Sequence, residues 1–102
     1  MPTKLERLRA FCEAKPDDPF AWYSMAMEQR KTDVPGALAT FQLIRERHPK
    51  YVPNYYHFAD ALGNAGDSDR AAEVTRAGME IARAAGDMHA YGELEGLLDR
   101  FR

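Results

Sequence analysis

The sequence predicts an all-α protein, and three observations carry that prediction. Apolar residues recur at spacings of three and four between short polar or proline-containing breaks. Alternating apolar and polar runs, and runs of β-branched residues, both of which favour strands, are almost absent. The breaks come at near-regular intervals along the 102 residues, so about six short helices joined by tight turns account for the whole length.

The first two helices are marked by capping signals. Thr3 and Glu6 have the spacing of a capping box, in which each side chain bonds to the other's backbone N–H, so the first helix is expected over residues 3–15. Asp18 followed by Pro19 supplies an N-cap and a proline at the first helical position, and the second helix is expected to run to about residue 31. The apolar positions of these helices are Leu5, Leu8, Phe11, Cys12, Trp22, Met25 and Ala26.

Prolines delimit the next two helices. Asp33 is placed to cap the third helix, which ends at His48 because Pro49 cannot continue it. Pro53 begins the fourth helix, whose apolar stripe is the clearest in the chain. The apolar positions are Ala37, Leu38, Phe41 and Ile44 in the third helix and Tyr55, Phe58, Ala59 and Leu62 in the fourth.

Glycine-containing turns separate the last two helices. Asp67 is expected to cap a long fifth helix, which ends near Gly86, where glycine can take the left-handed terminating conformation. Asp87 is expected to cap the sixth helix. The apolar positions are Ala71, Val74, Gly78 and Ile81 in the fifth helix and Tyr91, Leu94, Leu97, Leu98 and Phe101 in the sixth.

Composition excludes several classes of protein. The chain is 45% hydrophobic and 29% charged, which is typical of a folded globular domain rather than a disordered tail. A chain of this length buries about two-thirds of its unfolded surface, which is one modest core and not a large multidomain enzyme. The 14 Lys and Arg against 16 Asp and Glu give a net charge of −2, without the basic excess that binds nucleic acid. No stretch approaches the ~18 apolar residues of a membrane span.

The expected location is the cytoplasm. Residues 1–9 alternate charge with leucine instead of forming the apolar segment of a signal peptide. Cys12 is the single cysteine, so an internal disulfide is excluded and a reducing compartment is the default. Because Cys12 lies on the apolar side of the first helix, we expect a buried thiol rather than a nucleophile.

An internal similarity with a period of 33 to 34 residues runs through the chain. Four residues, Leu8, Phe11, Pro16 and Trp22, recur 33 residues later as Phe41, Ile44, Pro49 and Tyr55. Ala37 and Ile44 recur 34 residues later as Ala71 and Gly78. A fixed period of this size indicates stacked helical hairpins rather than a closed bundle.

The repeated residues resemble those of the tetratricopeptide repeat (TPR) family over nearly the whole chain. The matching positions are Trp22, Met25, Ala26, Ala37, Phe41 and Pro49 in one unit and Tyr55, Phe58, Ala59, Leu62, Gly66, Ala71 and Gly78 in the next. Ile44, Thr75 and Arg83 depart from the family pattern. The resemblance implies a short right-handed α-solenoid of antiparallel helices, like that of small stand-alone bacterial TPR proteins.

We expect a single TPR-like domain over residues 1–102. Its predicted parts are an N-terminal capping helix at 3–15, a first repeat at 19–49, a second repeat at 53–85 and a C-terminal capping helix at 87–101. Two repeats leave room for only a short groove, which favours a small adaptor over a large scaffold.

The resemblance also implies a concave groove that binds a partner protein or peptide. The residues carried over to this face are Phe20, Tyr23, Met27 and Arg30 from the second helix and Tyr56, Asp60, Gly63 and Asn64 from the fourth. Tyrosine, methionine and arginine are frequent binding hot spots. The family's clamp for a C-terminal carboxylate is not matched at these positions, so a ligand of mixed apolar and polar character is expected. The alternative is that Tyr23 and Tyr56 only pack against neighbouring helices.

Neither catalysis nor metal binding is indicated. His57 and Asp60 lie three residues apart, and His89 and Glu93 lie four apart, so each pair could place two ligands on one helix face. A zinc site needs three or four ligands, and the sequence contains no phosphate-binding loop or nucleophile elbow. We therefore expect no catalytic residue, no metal and no cofactor.

Self-association is the second function that the sequence leaves open. The first helix is half a repeat without a preceding partner, and its apolar side could meet a second copy of the chain. Its opposite side carries Lys4, Arg7 and Glu13, which is typical of a solvated cap. A monomer is therefore expected in preference to a homodimer.

Overall fold

The computed structural model describes all 102 residues and contains six α-helices, one short 3-10 helix and no strands. The helices are α1 (Lys4–Ala14), α2 (Pro19–Gln29), α3 (Val34–Arg47), α4 (Pro53–Asn64), α5 (Ser68–Ala84) and α6 (Met88–Leu98). The 3-10 helix, Asp99–Phe101, follows α6 directly and is called the C-terminal turn below. The all-α prediction is confirmed.

The helices form two compact units. One is Met1–His48, which holds α1 to α3, and the other is Pro49–Arg102, which holds α4 to α6. The division into two repeats with a capping helix at each end stays a prediction.

The predicted capping residues make the expected bonds. Thr3 and Glu6 form both hydrogen bonds of the capping box. Asp18, Asp33, Asp67 and Asp87 each accept a bond from a backbone N–H in the first turn of the helix that they precede. Such a cap contributes about 1 kcal/mol because it satisfies a backbone donor that has no partner within the helix. Helix α4 has no side-chain cap and begins instead with Pro53.

Glycines in the left-handed region end α4 and α5. Gly66 has φ 90° and Gly86 has φ 74°, conformations that cost other residues steric energy. This conformation turns the chain so that the Asp67 N–H donates to the Leu62 carbonyl and the Asp87 N–H donates to the Ala82 carbonyl. Each of these aspartates then caps the next helix, so one short segment ends a helix and starts another.

An aromatic-to-proline hydrogen bond occurs once in each unit. The Trp22 indole N–H donates to the Pro16 carbonyl at 2.8 Å. The Tyr55 hydroxyl donates to the Pro49 carbonyl, which is also six residues earlier in the chain. The two pairs are those related by the 33-residue period, so the sequence repeat is also a repeat of polar contacts.

The first unit has its core between α1, α2 and α3. Phe41, Ile44 and Ala26 are fully buried, as predicted. Cys12 is buried as well, and burial raises the pKa of its thiol, which keeps the sulfur protonated and unreactive. Cys12 forms a buried cluster with Ala21 and Met25. The predicted apolar residues of α1 and α2 that are partly buried and pack against this cluster are Leu5, Leu8, Phe11 and Trp22.

In the second unit the core includes a close helix contact at Gly78. A Cβ atom built on Gly78 would lie 2.5 Å from Cβ of Tyr55 and 3.2 Å from Cδ1 of Leu94. The absence of a side chain therefore lets α5 pack closely against α4 and α6. The other buried apolar residues of this unit are Phe58, Ala59, Ala61, Leu62, Ala71, Ala72, Val74, Ala82, Leu97 and Leu98. Three residues predicted to face inward, Ile81, Tyr91 and Phe101, are only half-buried.

A buried polar pair between α2 and α3 is a feature that the sequence analysis does not anticipate. The Thr40 hydroxyl lies 2.6 Å from Oε1 of Gln29, and both side chains are 7% exposed. The same hydroxyl lies 3.1 Å from the Gly36 carbonyl. The pair satisfies two buried polar groups and fixes the register of α2 against α3.

Replacing Thr40 with valine is expected to lower the free energy of unfolding by about 1–3 kcal/mol. Valine keeps the shape of the side chain but leaves Oε1 of Gln29 buried without its donor. The matched control is Thr75→Val, because the Thr75 hydroxyl is equally buried but bonds only within its own helix, to the Ala71 carbonyl at 2.7 Å. Urea denaturation followed by circular dichroism measures both variants. An equal loss in the two would contradict a role for the pair between helices.

Candidate partner-binding groove

The predicted binding residues of α2 lie on one accessible face of the first unit. Phe20 is 55% exposed, which is unusual for a large aromatic residue. Tyr23, Met27 and Arg30 follow at helical spacing and are half-buried. Burial raises the pKa of Tyr23, and the positive charge of Arg30 partly opposes that shift, so the phenol remains protonated. This face offers large apolar contact area together with a hydroxyl donor and a cation.

A groove of about 370 Å³ opens in the second unit, between the beginnings of α4 and α6. Its size lies within the range of ordinary ligand pockets. Its α4 side consists of Val52, Pro53, Tyr56 and His57, and its α6 side consists of Asp87, His89, Ala90, Glu93 and Leu94. Tyr56 is the predicted binding residue that lines it. Because the predicted residues Asp60 and Asn64 lie further along α4, this opening covers only the first half of that helix.

The lining of this groove is apolar with an acidic edge. Val52, Pro53 and Ala90 supply apolar surface, and the buried Leu94 lies beneath it. The ionisable groups are two carboxylates and two histidines, and no lysine or arginine lines the opening. With neutral histidines the groove therefore carries two negative charges and favours a cationic ligand group.

Local contacts orient the polar groups at the groove's edge. The Asp87 carboxylate accepts the Ala90 N–H at 3.0 Å, which holds Asp87 at the start of α6. His89 Nε2 lies 3.4 Å from Oε1 of Glu93, and both side chains are well exposed. The Tyr56 and His57 rings meet edge to face, with centroids 5.3 Å apart. Glu93 thus keeps an exposed carboxylate at the groove's edge, whereas the Asp87 carboxylate also caps α6.

The remaining predicted residues of α4 contact the C-terminal turn. Nη1 of Arg100 lies 2.6 Å from Oδ1 of Asp60, and Nη2 lies 3.1 Å from Oδ1 of Asn64. The Phe101 ring covers Gly63 so closely that a Cβ built there would lie 2.3 Å from Cε1 of the ring. The structure therefore places Asp60, Gly63 and Asn64 together on one face, and that face contacts the C-terminal turn of the chain itself.

Solved structures of similar fold identify the family. The solution structure of a tetratricopeptide repeat domain protein from Salinibacter ruber has a TM-score of 0.81 and 33% sequence identity, over 85% of this chain and 89% of that chain. The chain belongs to the tetratricopeptide repeat family. A crystal structure of the tetratricopeptide repeat domain protein from the same organism has a TM-score of 0.78 and 32% identity, over 82% of this chain and 96% of that one.

A third structure extends the likeness to the whole length of the chain. The solution structure of a protein from Bordetella parapertussis has a TM-score of 0.82, over 99% of this chain and 89% of that chain, and at 22% identity it shows the fold alone. No model of a protein family matches the sequence. No curated protein matches it either. The TPR assignment made from the repeated residues is thus confirmed by the solved structures.

The residue pairs with metal-ligand spacing do not gather into a larger site. Asp60 bonds to Arg100, and His89 pairs with Glu93 on the exposed side of α6. No group of three or more His, Cys, Asp or Glu side chains is placed to hold a metal ion. None of the helices of this TPR protein combines the length and the apolar character needed to cross a bilayer.

The α6 side of the groove is what sequence reasoning misses. If α6 is taken as a capping helix, as the repeat pattern suggests, it is assigned no binding role. The sequence feature that could have indicated this wall of the groove is the pair His89 and Glu93. These two residues lie one helical turn apart, beside the apolar stripe that contains Leu94.

Proposed function

We propose that this TPR protein is a non-catalytic interaction module whose α4–α6 groove binds a short peptide or one face of a partner helix. The observation that carries the proposal is the open groove itself, which combines apolar lining with an acidic edge next to Tyr56. Binding sites of this kind take an apolar anchor and use a few polar groups to orient it.

The groove's chemistry selects a partner segment with one apolar and one basic side chain. An aliphatic or aromatic residue would pack against Pro53, Tyr56 and Ala90. A neighbouring lysine or arginine would face Glu93 and Asp87. Because exposed ion pairs contribute at most about 1 kcal/mol, the apolar contact supplies most of the affinity and the carboxylates supply the selectivity.

The α2 face belongs to the proposal as a second contact surface. Phe20, Tyr23, Met27 and Arg30 keep the accessibility that a binding role requires. Together with Tyr56, Asp60 and Asn64, they are the residues that we assign to partner contact. The proposed role is that of an adaptor in a bacterial cytoplasm, which the Salinibacter ruber neighbours and the buried free thiol of Cys12 support.

A monomer is the proposed solution state. Leu5, Leu8 and Phe11, the residues that could have paired with a second copy, pack against the core of their own unit. Self-association through α1 would have to use the part of its apolar side that these contacts leave exposed. A homodimer therefore stays the second candidate, and no specific observation favours it.

Selection of peptides on the protein tests the groove. Random dodecapeptides displayed on phage are expected to yield binders with an apolar residue beside a lysine or arginine. For such a peptide, Tyr56→Ala is expected to weaken binding about tenfold or more, since a truncated hot spot costs over 1 kcal/mol. Glu93→Gln is expected to weaken it less. The control is Arg76→Ala, an exposed residue on α5 outside the groove, which is expected to leave affinity unchanged.

The same titrations distinguish the two surfaces. Binding that responds to Tyr23→Ala and Met27→Ala, but not to Tyr56→Ala or Glu93→Gln, would move the site to the α2 face. Binding that is indifferent to all four substitutions would rule out both surfaces as the site.

A further inference from the structure

The side of α4 that lines the open groove continues to the end of the helix, where the chain itself covers it. Helical spacing places Tyr56, Asp60, Gly63 and Asn64 along this side of α4. Its first half borders the open groove between the beginnings of α4 and α6. Its second half holds Arg100 and Phe101 against Asp60, Gly63 and Asn64.

Gly63 leaves space on the surface of α4 for an aromatic ring. Glycine inside a helix makes the helix less stable than alanine would, so a glycine at position 63 calls for a structural explanation. A Cβ at position 63 would lie 2.3 Å from Cε1 and 2.9 Å from Cζ of Phe101, so glycine lets the ring lie directly against the helix backbone. The missing side chain makes a notch in α4, and an aromatic ring fills it.

The polar neighbours of the notch are matched to a guanidinium group. Arg100 makes two parallel contacts, one with the Asp60 carboxylate and one with the Asn64 amide oxygen. Its Cζ also lies 5.2 Å from the centre of the Phe101 ring, so the two side chains are held as one unit. Two acceptors separated by one helical turn suit the planar fork of arginine better than the single charge of lysine.

The contact within the chain is exposed enough to be exchanged. The Arg100 side chain remains 47% exposed, and the segment that carries it is a turn of three residues. A turn of three residues held by an exposed ion pair opens locally at low cost compared with a helix in the core. A ligand with the same two groups could therefore compete for the site.

We propose that Asp60, Gly63 and Asn64 form a subsite for an arginine next to an aromatic residue on a partner, in competition with Arg100 and Phe101 of the chain itself. The proposal rests on the proposed function and adds the chemistry of the partner to it. Tyr56 and Gly63 are seven residues apart on α4, about 10 Å along the axis, which about three extended residues can span. One short segment can thus reach both halves of this side of α4.

Removal of the competing side chains tests the subsite. The probe is an acetylated, amidated peptide GGRFGG, titrated to millimolar concentration against the 15N-labelled protein. The amide resonances of Gly63 and Asn64 report binding. The double variant Arg100→Ala/Phe101→Ala is expected to bind the probe about tenfold more tightly than the wild type, because a site that is mostly occupied has its apparent affinity reduced by the free fraction.

Two controls separate recognition from unspecific effects. The peptide GGKAGG is expected to give no saturable shift, and adding Asp60→Asn to the double variant is expected to abolish binding of GGRFGG. The single variant Arg100→Gln keeps the Phe101 ring in place, and its affinity for GGRFGG is expected to lie between those of the wild type and the double variant. It replaces the double variant in the test if the double variant does not fold.

Equal affinity of wild type and variants for GGRFGG, or equal shifts with GGKAGG, would overturn the subsite. In that case Tyr56-dependent binding of the selected dodecapeptides would still support the proposed function, so the two failures are distinguishable.

Discussion

Replacing Tyr55 with alanine is expected to lower the free energy of unfolding by about 3–5 kcal/mol. Tyr55 is 2% exposed and belongs to the largest fully buried side chains of the protein. Its Cβ and Cγ are the atoms nearest to Gly78, and its hydroxyl donates to the Pro49 carbonyl. The substitution therefore removes a helix contact, opens a cavity and leaves a carbonyl without its donor. Urea denaturation followed by far-ultraviolet circular dichroism measures the loss.

The matched control is Tyr55→Phe, which keeps the ring and removes only the hydroxyl. It is expected to cost about 1 kcal/mol, the usual net contribution of one hydrogen bond. If phenylalanine destabilised the protein as much as alanine, the hydrogen bond to Pro49 and not the packing would be the main contribution of this residue. That outcome would contradict the packing argument.

Replacing Gly78 with alanine is expected to destabilise the protein by about 1–3 kcal/mol, even though alanine is the better helix former. The added Cβ would lie 2.5 Å from Cβ of Tyr55 and 2.9 Å from its Cγ. Because a Cβ atom is attached to the backbone, no change of rotamer moves it away. The helices α4 and α5 have to separate, and the contacts around them weaken.

The control for this prediction is Gly96→Ala on α6. A Cβ at position 96 meets nothing within 4 Å, so the substitution is expected to raise the free energy of unfolding by about 0.5–1 kcal/mol through helix propensity alone. Thermal melts of the two variants are expected to shift in opposite directions. A shift in the same direction for both would show that the close contact at Gly78 is not what selects glycine there.

The helices and the family follow from local chemistry. Thr3 with Glu6 and the aspartate that precedes α5 act on backbone groups within four residues, so their caps can be predicted without knowing the fold. The 33-residue period pairs Trp22 with Tyr55, and both residues make the same bond to a preceding proline. Since equivalent positions of the two units make the same contacts, the same residue types recur there, and this pattern indicates the TPR family.

The candidate site was predictable only in part, and Asp60 shows why. Its place on the outward face of α4 follows from helical spacing. Its partner does not, because Arg100 lies 40 positions further along the chain, after the last helix of the pattern. Repeat reasoning treats equivalent helices as equal, so it cannot anticipate what the segment after the final helix contacts, or that α6 forms one wall of a groove.

Residues near each other in the chain thus establish the six helices, their caps, the TPR repeat and the accessible positions of Tyr23, Met27 and Tyr56. Three-dimensional packing alone reveals that the Phe101 ring lies against Gly63 and that an open groove lies between the beginnings of α4 and α6. The reason is physical. Caps and helical faces depend on backbone geometry over a few residues, whereas a contact between distant side chains depends on how the helices pack.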